Sequence, residues 1–361
     1  KKIIKYDKHQ IEILDQRKEP RLIIEGRAGT GKSILAAEKA KRFGKEFEKI
    51  LLICGANKPF AKHMVRELEE NDNIDVNYFS GLCKDLYDKA NFTRDEVDEV
   101  VTNTKKYTND AILKPYEVHQ LMLEKAIEKT GIKFDALVVD EGQDINKSQW
   151  DSILMILKDP FKSPVYIFHD NNQKIYHKSK LDLPDFPQYP HLLDKNYRNT
   201  KYIFNIQKSY YEGDTMTSIG PEGESVRYVV SNDLRDTEKK IIKSINKYVI
   251  NEAIPKKEIA ILTGNKRGVS TTLLGNYYIK HKNPILTNFT FVKAEENHKD
   301  AIVLDSIKRF KGLERDVVIL FDLEDALDNP EEMYTGLSRP KLILDIFVSE
   351  RGLEILKKIS E

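Results

Sequence analysis

The sequence predicts an α/β fold with two parallel, helix-covered sheets, and three observations predict it. Short β-rich apolar runs alternate with longer segments of helical period, the rhythm of a parallel sheet with helical crossovers. The runs fall into two groups of similar size, one in each half of the chain. At about 150 residues per domain, 361 residues also make about two domains.

In the first half the strand candidates are Leu22–Ile24, Ile50–Cys54, Asp75–Tyr78, Ala136–Val139 and Val165–Phe168. Helical stretches are expected after Lys32, after Pro59 and around Leu121. In the second half the candidates are Val226–Val230, Ile259–Leu262, Ile302–Leu304, Val317–Phe321 and Ile343–Val348. Helices are expected after Asn199, Arg235 and Lys266, with one more before the last strand. The stretch from Asp170 to Leu193 carries Pro184, Pro187 and Pro190 and reads as a passage between domains. The expected division is therefore 1–192 and 193–361. Within the first domain, Lys84 to Thr130 shows no strand pattern and reads as a small helical insertion.

Composition narrows the function classes. Lys and Arg total 59 against 58 Asp and Glu, a net charge of +1, so no bulk field announces a nucleic-acid or membrane partner. Cys54 and Cys83 are the two cysteines; they form no CxxC pair and no disulfide framework, which reads as a reduced, cytoplasmic chain. The longest apolar runs fall far short of the ~20 residues that cross a bilayer, so no membrane partner is expected. The sequence begins at Lys1, which leaves room for a preceding domain.

Gly26-Arg27-Ala28-Gly29-Thr30-Gly31-Lys32-Ser33 fits G-x-x-x-x-G-K-[ST] between the strand Arg21–Glu25 and a helical pattern. Gly26, Gly29, Thr30 and Gly31 let backbone N–H groups curl around phosphate oxygens, Lys32 adds a point charge toward the β/γ phosphates, and the Ser33 hydroxyl can ligate Mg²⁺. Downstream, the apolar strand at Ala136 ends in Asp140-Glu141. Asp140 at the strand tip can hold Mg²⁺ through its water shell, and Glu141 can orient and deprotonate an attacking water. A nucleoside triphosphate with Mg²⁺ is the expected pair, and hydrolysis the expected chemistry.

At Asp140-Glu141-Gly142-Gln143-Asp144 the chain resembles superfamily 1 helicases of the UvrD/Rep type, whose second acidic motif reads D-E-x-Q-D. Gln10 matches that family's adenine-reading glutamine, which implies ATP as the nucleotide. Asp170-Asn171-Asn172-Gln173-Lys174-Ile175-Tyr176 resembles D-x-x-Q-x-I-Y, which implies that Gln173 senses the γ-phosphate. Leu193-Asp194-Lys195-Asn196-Tyr197-Arg198-Asn199-Thr200 is similar to L-x-x-N-Y-R-S-T, implying Tyr197 on the base and Arg198 at the γ-phosphate. Ser306 to Glu314 fits T-x-H-x-x-K-G-L-E, with Gly312 and Glu314 near the nucleotide, and Tyr334 to Arg339 fits Y-V-G-x-T-R, giving Arg339 a second arginine-finger role.

The resemblance spans Gln10 to Arg339 and implies two tandem RecA-like domains. It also implies a motor on single-stranded nucleic acid, DNA more than RNA, moving 3′ to 5′. Nucleic-acid contacts are expected from Asn57, Lys58, Tyr176, Lys178, Lys308 and Arg309. The pattern departs at Gly55, where the family has a base-stacking aromatic before T-N-K, at Lys178 for its tryptophan and at Lys308 for its histidine. Each lost aromatic removes about 1–3 kcal/mol of stacking and shifts the grip toward phosphate contacts. The second large insertion of unwinding members is also missing. A second expectation is therefore a nucleotide-gated regulatory ATPase that unwinds nothing, coupled to a nuclease or a defence system. A GTPase is set aside because neither Asn57-Lys58-Pro59-Phe60 nor Asn265-Lys266-Arg267-Gly268 carries the aspartate of N-K-x-D.

Overall fold

The computed structural model describes residues 5–16, 20–105, 113–173, 183–186, 191–211, 216–267, 269, 289–296 and 298–360. The chain divides into two compact units, Lys1–Glu25 with Lys32–His169 and Ser179–Leu193, and Gly26–Gly31 with Asp170–Lys178 and Asp194–Glu361.

The first unit runs α1 (Lys8–Asp15), β1 (Arg21–Gly26), α2 (Lys32–Gly44), β2 (Ile50–Cys54), α3 (Lys58–Glu67) and β3 (Ile74–Asn77). Four helices follow: α4 (Phe79–Ala90), α5 (Arg94–Lys105), α6 (Pro115–Leu121) and α7 (Leu123–Thr130). Then come β4 (Ala136–Asp140), α8 (Lys147–Leu154), β5 (Val165–His169) and β6 (His191–Leu193). The six strands order as β3-β2-β4-β5-β1-β6. The pairs β2/β3, β2/β4, β4/β5 and β1/β5 are parallel. Every residue of β2, β4 and β5 is buried, because helices cover both faces of such a sheet.

The helical insertion begins at Phe79, five residues before its expected start, and α4 and α7 pack Leu82, Leu86, Leu123 and Ile127 into the core of Leu51, Leu137 and Val139. Asn57 caps α3, its Oδ1 accepting the Phe60 N–H at 3.0 Å, and Pro59 sits in the first turn, where a missing N–H costs nothing.

The second unit holds β7 (Lys195–Asn196), α9 (Lys201–Lys208), β8 (Thr217–Ser218), β9 (Arg227–Val230), α10 (Leu234–Asn246), β10 (Ile259–Thr263) and β11 (Phe291–Val292). It closes with β12 (Ile302–Ser306), β13 (Arg315–Phe321), α11 (Pro330–Leu337), β14 (Pro340–Val348) and α12 (Glu350–Ser360). Its six-stranded sheet orders as β11-β12-β10-β13-β14-β9, and each pair in it is parallel. Ile241, Ile245, Ile261, Ile319 and Phe347 form the centre of a separate core. On its edge the buried Asp345 carboxylate accepts from Arg227 Nε at 2.8 Å and from the Tyr248 hydroxyl at 2.8 Å.

The α/β class is as the sequence predicts: each unit builds a six-stranded sheet of parallel pairs with helices packed on it. Four short strands were not expected, β6, β7, β8 and β11, because two or three residues carry no readable period. The helix expected after Lys266 falls largely outside the described residues.

Candidate nucleotide site

In the first unit, α2 starts at Lys32 directly after the glycine loop, and the N-terminal end of a helix favours anions. Lys32 is buried, and the Ser33 hydroxyl lies beside the Asp140 carboxylate. Asp140 is 0% exposed at the end of β4; its Oδ1 accepts the Glu141 N–H at 2.9 Å, while its Oδ2 has no hydrogen-bond partner. Burial, then the neighbouring Glu141 charge, push the Asp140 carboxyl above the usual carboxylate range, against the opposing pull of the nearby Ser33 hydroxyl and the Lys32 charge. A buried carboxylate oxygen without a donor, next to a serine hydroxyl, is a donor set that suits Mg²⁺. Ser33 and Asp140 are the residues that would hold it.

Glu141 follows in the left-handed region, φ 58°, a conformation that costs a non-glycine residue about 1–3 kcal/mol and survives where neighbours enforce it. Gln143 Nε2 donates to Glu141 Oε2 at 2.6 Å and so fixes the carboxylate. The D-E-x-Q-D pattern contains Gln143, yet spacing alone gives it no role. Gly55 explains one departure from the family pattern. Its φ is +47°, and a Cβ there would lie 2.9 Å from both Cβ and the backbone O of Glu141. An aromatic cannot stand on that backbone while the Glu141 turn keeps its place. Burial and the charges of Asp140 and Glu141 also drive the Cys54 thiol well up, which leaves it neutral.

Gln10 is buried in α1, where it forms a capping box with Asp7: Gln10 N–H donates to Asp7 Oδ1 at 2.8 Å and Asp7 N–H to Gln10 Oε1 at 3.0 Å. Of the residues expected to grip nucleic acid, Asn57 is 2% exposed and spends its side-chain oxygen on the α3 cap, whereas Lys58 is exposed. Tyr176 and Lys178 lie outside the described residues.

In the second unit the glycine loop is held by side chains and backbone from other blocks. Gly29 and Gly31 have φ of 77° and 90°, which the curl requires. Ala28 N–H donates to the Tyr334 hydroxyl at 3.0 Å, Asn196 Nδ2 donates to Ala28 O at 3.0 Å, and Tyr197 N–H donates to Gly29 O at 2.9 Å. Arg27 lies 4.6 Å over the Tyr211 ring. Thr30 is buried, its hydroxyl donating to Arg27 O at 2.7 Å. Thus Asn196, Tyr197 and Tyr334 come together with Ala28 and Gly29. Tyr197 is 41% exposed.

Arg198 pairs with Glu314, Nε to Oε2 at 2.6 Å. Arg339 is 1% exposed and donates to Thr335 O, Leu313 O and Ser338 Oγ. Gln173 is buried with its Oε1 unpartnered, and Lys311 Nζ donates to its backbone O at 2.6 Å. Gly312 turns at φ 81° just before Leu313 and Glu314. Lys308 faces Glu332 at 3.3 Å, and Arg309 pairs with Asp305 at 3.1 Å and with Glu295. Lys308 and Arg309, two of the four cations expected at a nucleic acid, therefore sit beside carboxylates.

Residues 1–165 match the family described as "Type III restriction enzyme, res subunit". That match supports a helicase-like P-loop ATPase and does not extend to the UvrD/Rep type. No curated protein matches the chain. Among solved structures, "The structure of PRRSV helicase" covers 96% of this chain at 12% identity and a TM-score of 0.42. The chain spans 55% of that structure's length, and so distant a likeness carries no argument here.

Proposed function

We propose that the chain is the ATP-hydrolysing motor core of a superfamily 1 type translocase, acting on single-stranded nucleic acid, DNA in preference to RNA, with 3′-to-5′ polarity as the UvrD/Rep resemblance implies. The observation that carries it is Asp140: buried, beside the Ser33 hydroxyl at the end of the glycine loop, with one oxygen unpartnered and Glu141 pinned next to it by Gln143.

In this reading Gly26 to Gly31 and Gln10 bind ATP, and Lys32 neutralises the β/γ phosphates. Ser33 and Asp140 would hold Mg²⁺, which would supply charge neutralisation there when bound. Glu141 accepts the proton of the attacking water, and Gln173 senses the γ-phosphate. Arg198 exchanges Glu314 for the phosphoryl group as negative charge moves there, and Arg339 joins it. Both arginines are worth about 10³-fold or more in rate on this chemistry.

The ion pairs of Lys308 and Arg309 and the glycine at position 55 favour a second reading, a regulatory ATPase that binds nucleic acid under nucleotide control without unwinding, in company with a nuclease. One experiment separates them: ATP turnover with and without single-stranded DNA or RNA, beside a strand-displacement assay. Stimulation with displacement supports the motor; absence of stimulation by either polymer rejects it. Lys32→Ala is expected to abolish turnover in both readings, and Glu141→Gln to bind ATP without turning it over. Normal turnover in either variant would overturn the site.

A further inference from the structure

Two asparagines of the Leu193–Thr200 block are 0% exposed and bonded to each other, Asn196 Nδ2 to Asn199 Oδ1 at 2.7 Å. Asn196 uses the whole capacity of its carboxamide. Its nitrogen also donates to Ala28 O at 3.0 Å, and its oxygen accepts the backbone N–H of Arg198 at 3.1 Å and of Asn199 at 2.9 Å. Asn199 continues outward: its Nδ2 donates to Ser338 O at 3.2 Å and to Pro340 O at 2.6 Å, the two carbonyls on either side of Arg339. A continuous chain of hydrogen bonds therefore runs from the phosphate loop, past the backbone of Arg198, to both neighbours of Arg339.

The packing leaves little slack. A Cβ on Gly29 would fall 2.5 Å from Asn196 Nδ2, so the loop and the carboxamide are in direct contact. The family block has serine where this chain has Asn199, and one hydroxyl cannot donate to two carbonyls at once.

We infer that Asn196 and Asn199 form a positioning bridge that sets Arg198 and Arg339 in register with the phosphate loop. The inference rests on the reading of those arginines as parts of an ATP site. Neither asparagine needs to touch the nucleotide; each acts through a neighbour. A cut at Asn196 frees the Arg198 backbone from the loop and a cut at Asn199 frees the neighbours of Arg339, so either cut spoils the shared register: each should slow turnover more than it weakens ATP binding, and a second cut should add little.

The test measures kcat and KM for ATP, with melting temperature, on the full chain and on Asn196→Ser, Asn199→Ser and the double variant. Each single variant is expected to lower kcat about tenfold with KM held within about twofold, and the double to lose no more than the worse single. Losses that multiply in the double variant overturn the bridge. So does a lowered melting temperature with kcat retained, which would make the pair packing alone. Should Asn199→Ser fail to fold, Asn199→Asp has the same shape, keeps the acceptor for Asn196 and removes the donors, and the same kcat loss is expected of it; unchanged kcat there overturns the inference. A wild-type chain that hydrolyses no ATP overturns the reading of the site and this inference together, whereas an active wild type with multiplying losses overturns the inference alone.

Discussion

Glu141 shows at the scale of one residue how the site is held. Its left-handed backbone turns the side chain back from the tip of β4, and Gln143 then takes one carboxylate oxygen. A general base works only when its oxygen is aimed within hydrogen-bond reach of the proton it takes. Gln143→Leu keeps the bulk and loses the amide, so kcat is expected to fall by about 10- to 100-fold while ATP binding persists. Phosphate release and equilibrium nucleotide binding, measured side by side, check this; equal losses in both would show that Gln143 serves binding. The sequence pattern makes Lys32, Ser33, Asp140 and Glu141 legible because their spacing is dictated by a strand, a loop and a helix start. It leaves Gln143, Asn196 and Asn199 without roles, since order along a chain does not say which amide faces which carbonyl.

At the scale of elements, the strands buried on both faces are the legible part: Ile50–Cys54 is bounded as the sequence predicts, and β4, β5 and β10 extend one residue past their expected ends. Continuous apolar runs of four or five residues, rich in Val and Ile, mark such strands by their length and β-branched content. Two-residue strands such as β7 and β11 depend on what they pair with, and no local signal exists to find them. Gly55 belongs to this scale because it joins the end of β2 to the Glu141 turn. From sequence it reads as a lost aromatic; in the fold it is a close approach of two backbones at positive φ. Restoring an aromatic is therefore expected to harm the protein. Gly55→Phe should lower stability by more than about 1 kcal/mol and reduce ATP turnover with it, as thermal melting and phosphate release would report. A variant that melts normally and gains affinity for single-stranded DNA would refute this account.

Over the whole molecule, the near balance of 59 cations and 58 anions matches what is seen locally, where Lys308, Arg309 and Lys240 sit beside carboxylates. A protein that neutralises many phosphates shows a steep fall of affinity with salt, by about 0.7 in the logarithmic slope for each phosphate on a single strand. Paired cations contribute less, because each must give up a partner. Binding of single-stranded DNA, followed by fluorescence anisotropy across a salt series, is expected to show a logarithmic slope no steeper than about −3. A slope several times steeper would mean an unpaired basic track.

The phosphate loop changes allegiance along its own length. Gly26–Gly31 groups with the unit that carries Asn196, Asn199 and Tyr334, while Lys32 opens a helix of the other. A lineage that replaced its C-terminal half by recombination near residue 193 would keep its glycines and lose the groups that grip them. A substitution at Ala28 or Gly29 and one at Asn196 would therefore disturb the same contact, although 168 positions separate Ala28 from Asn196 along the chain.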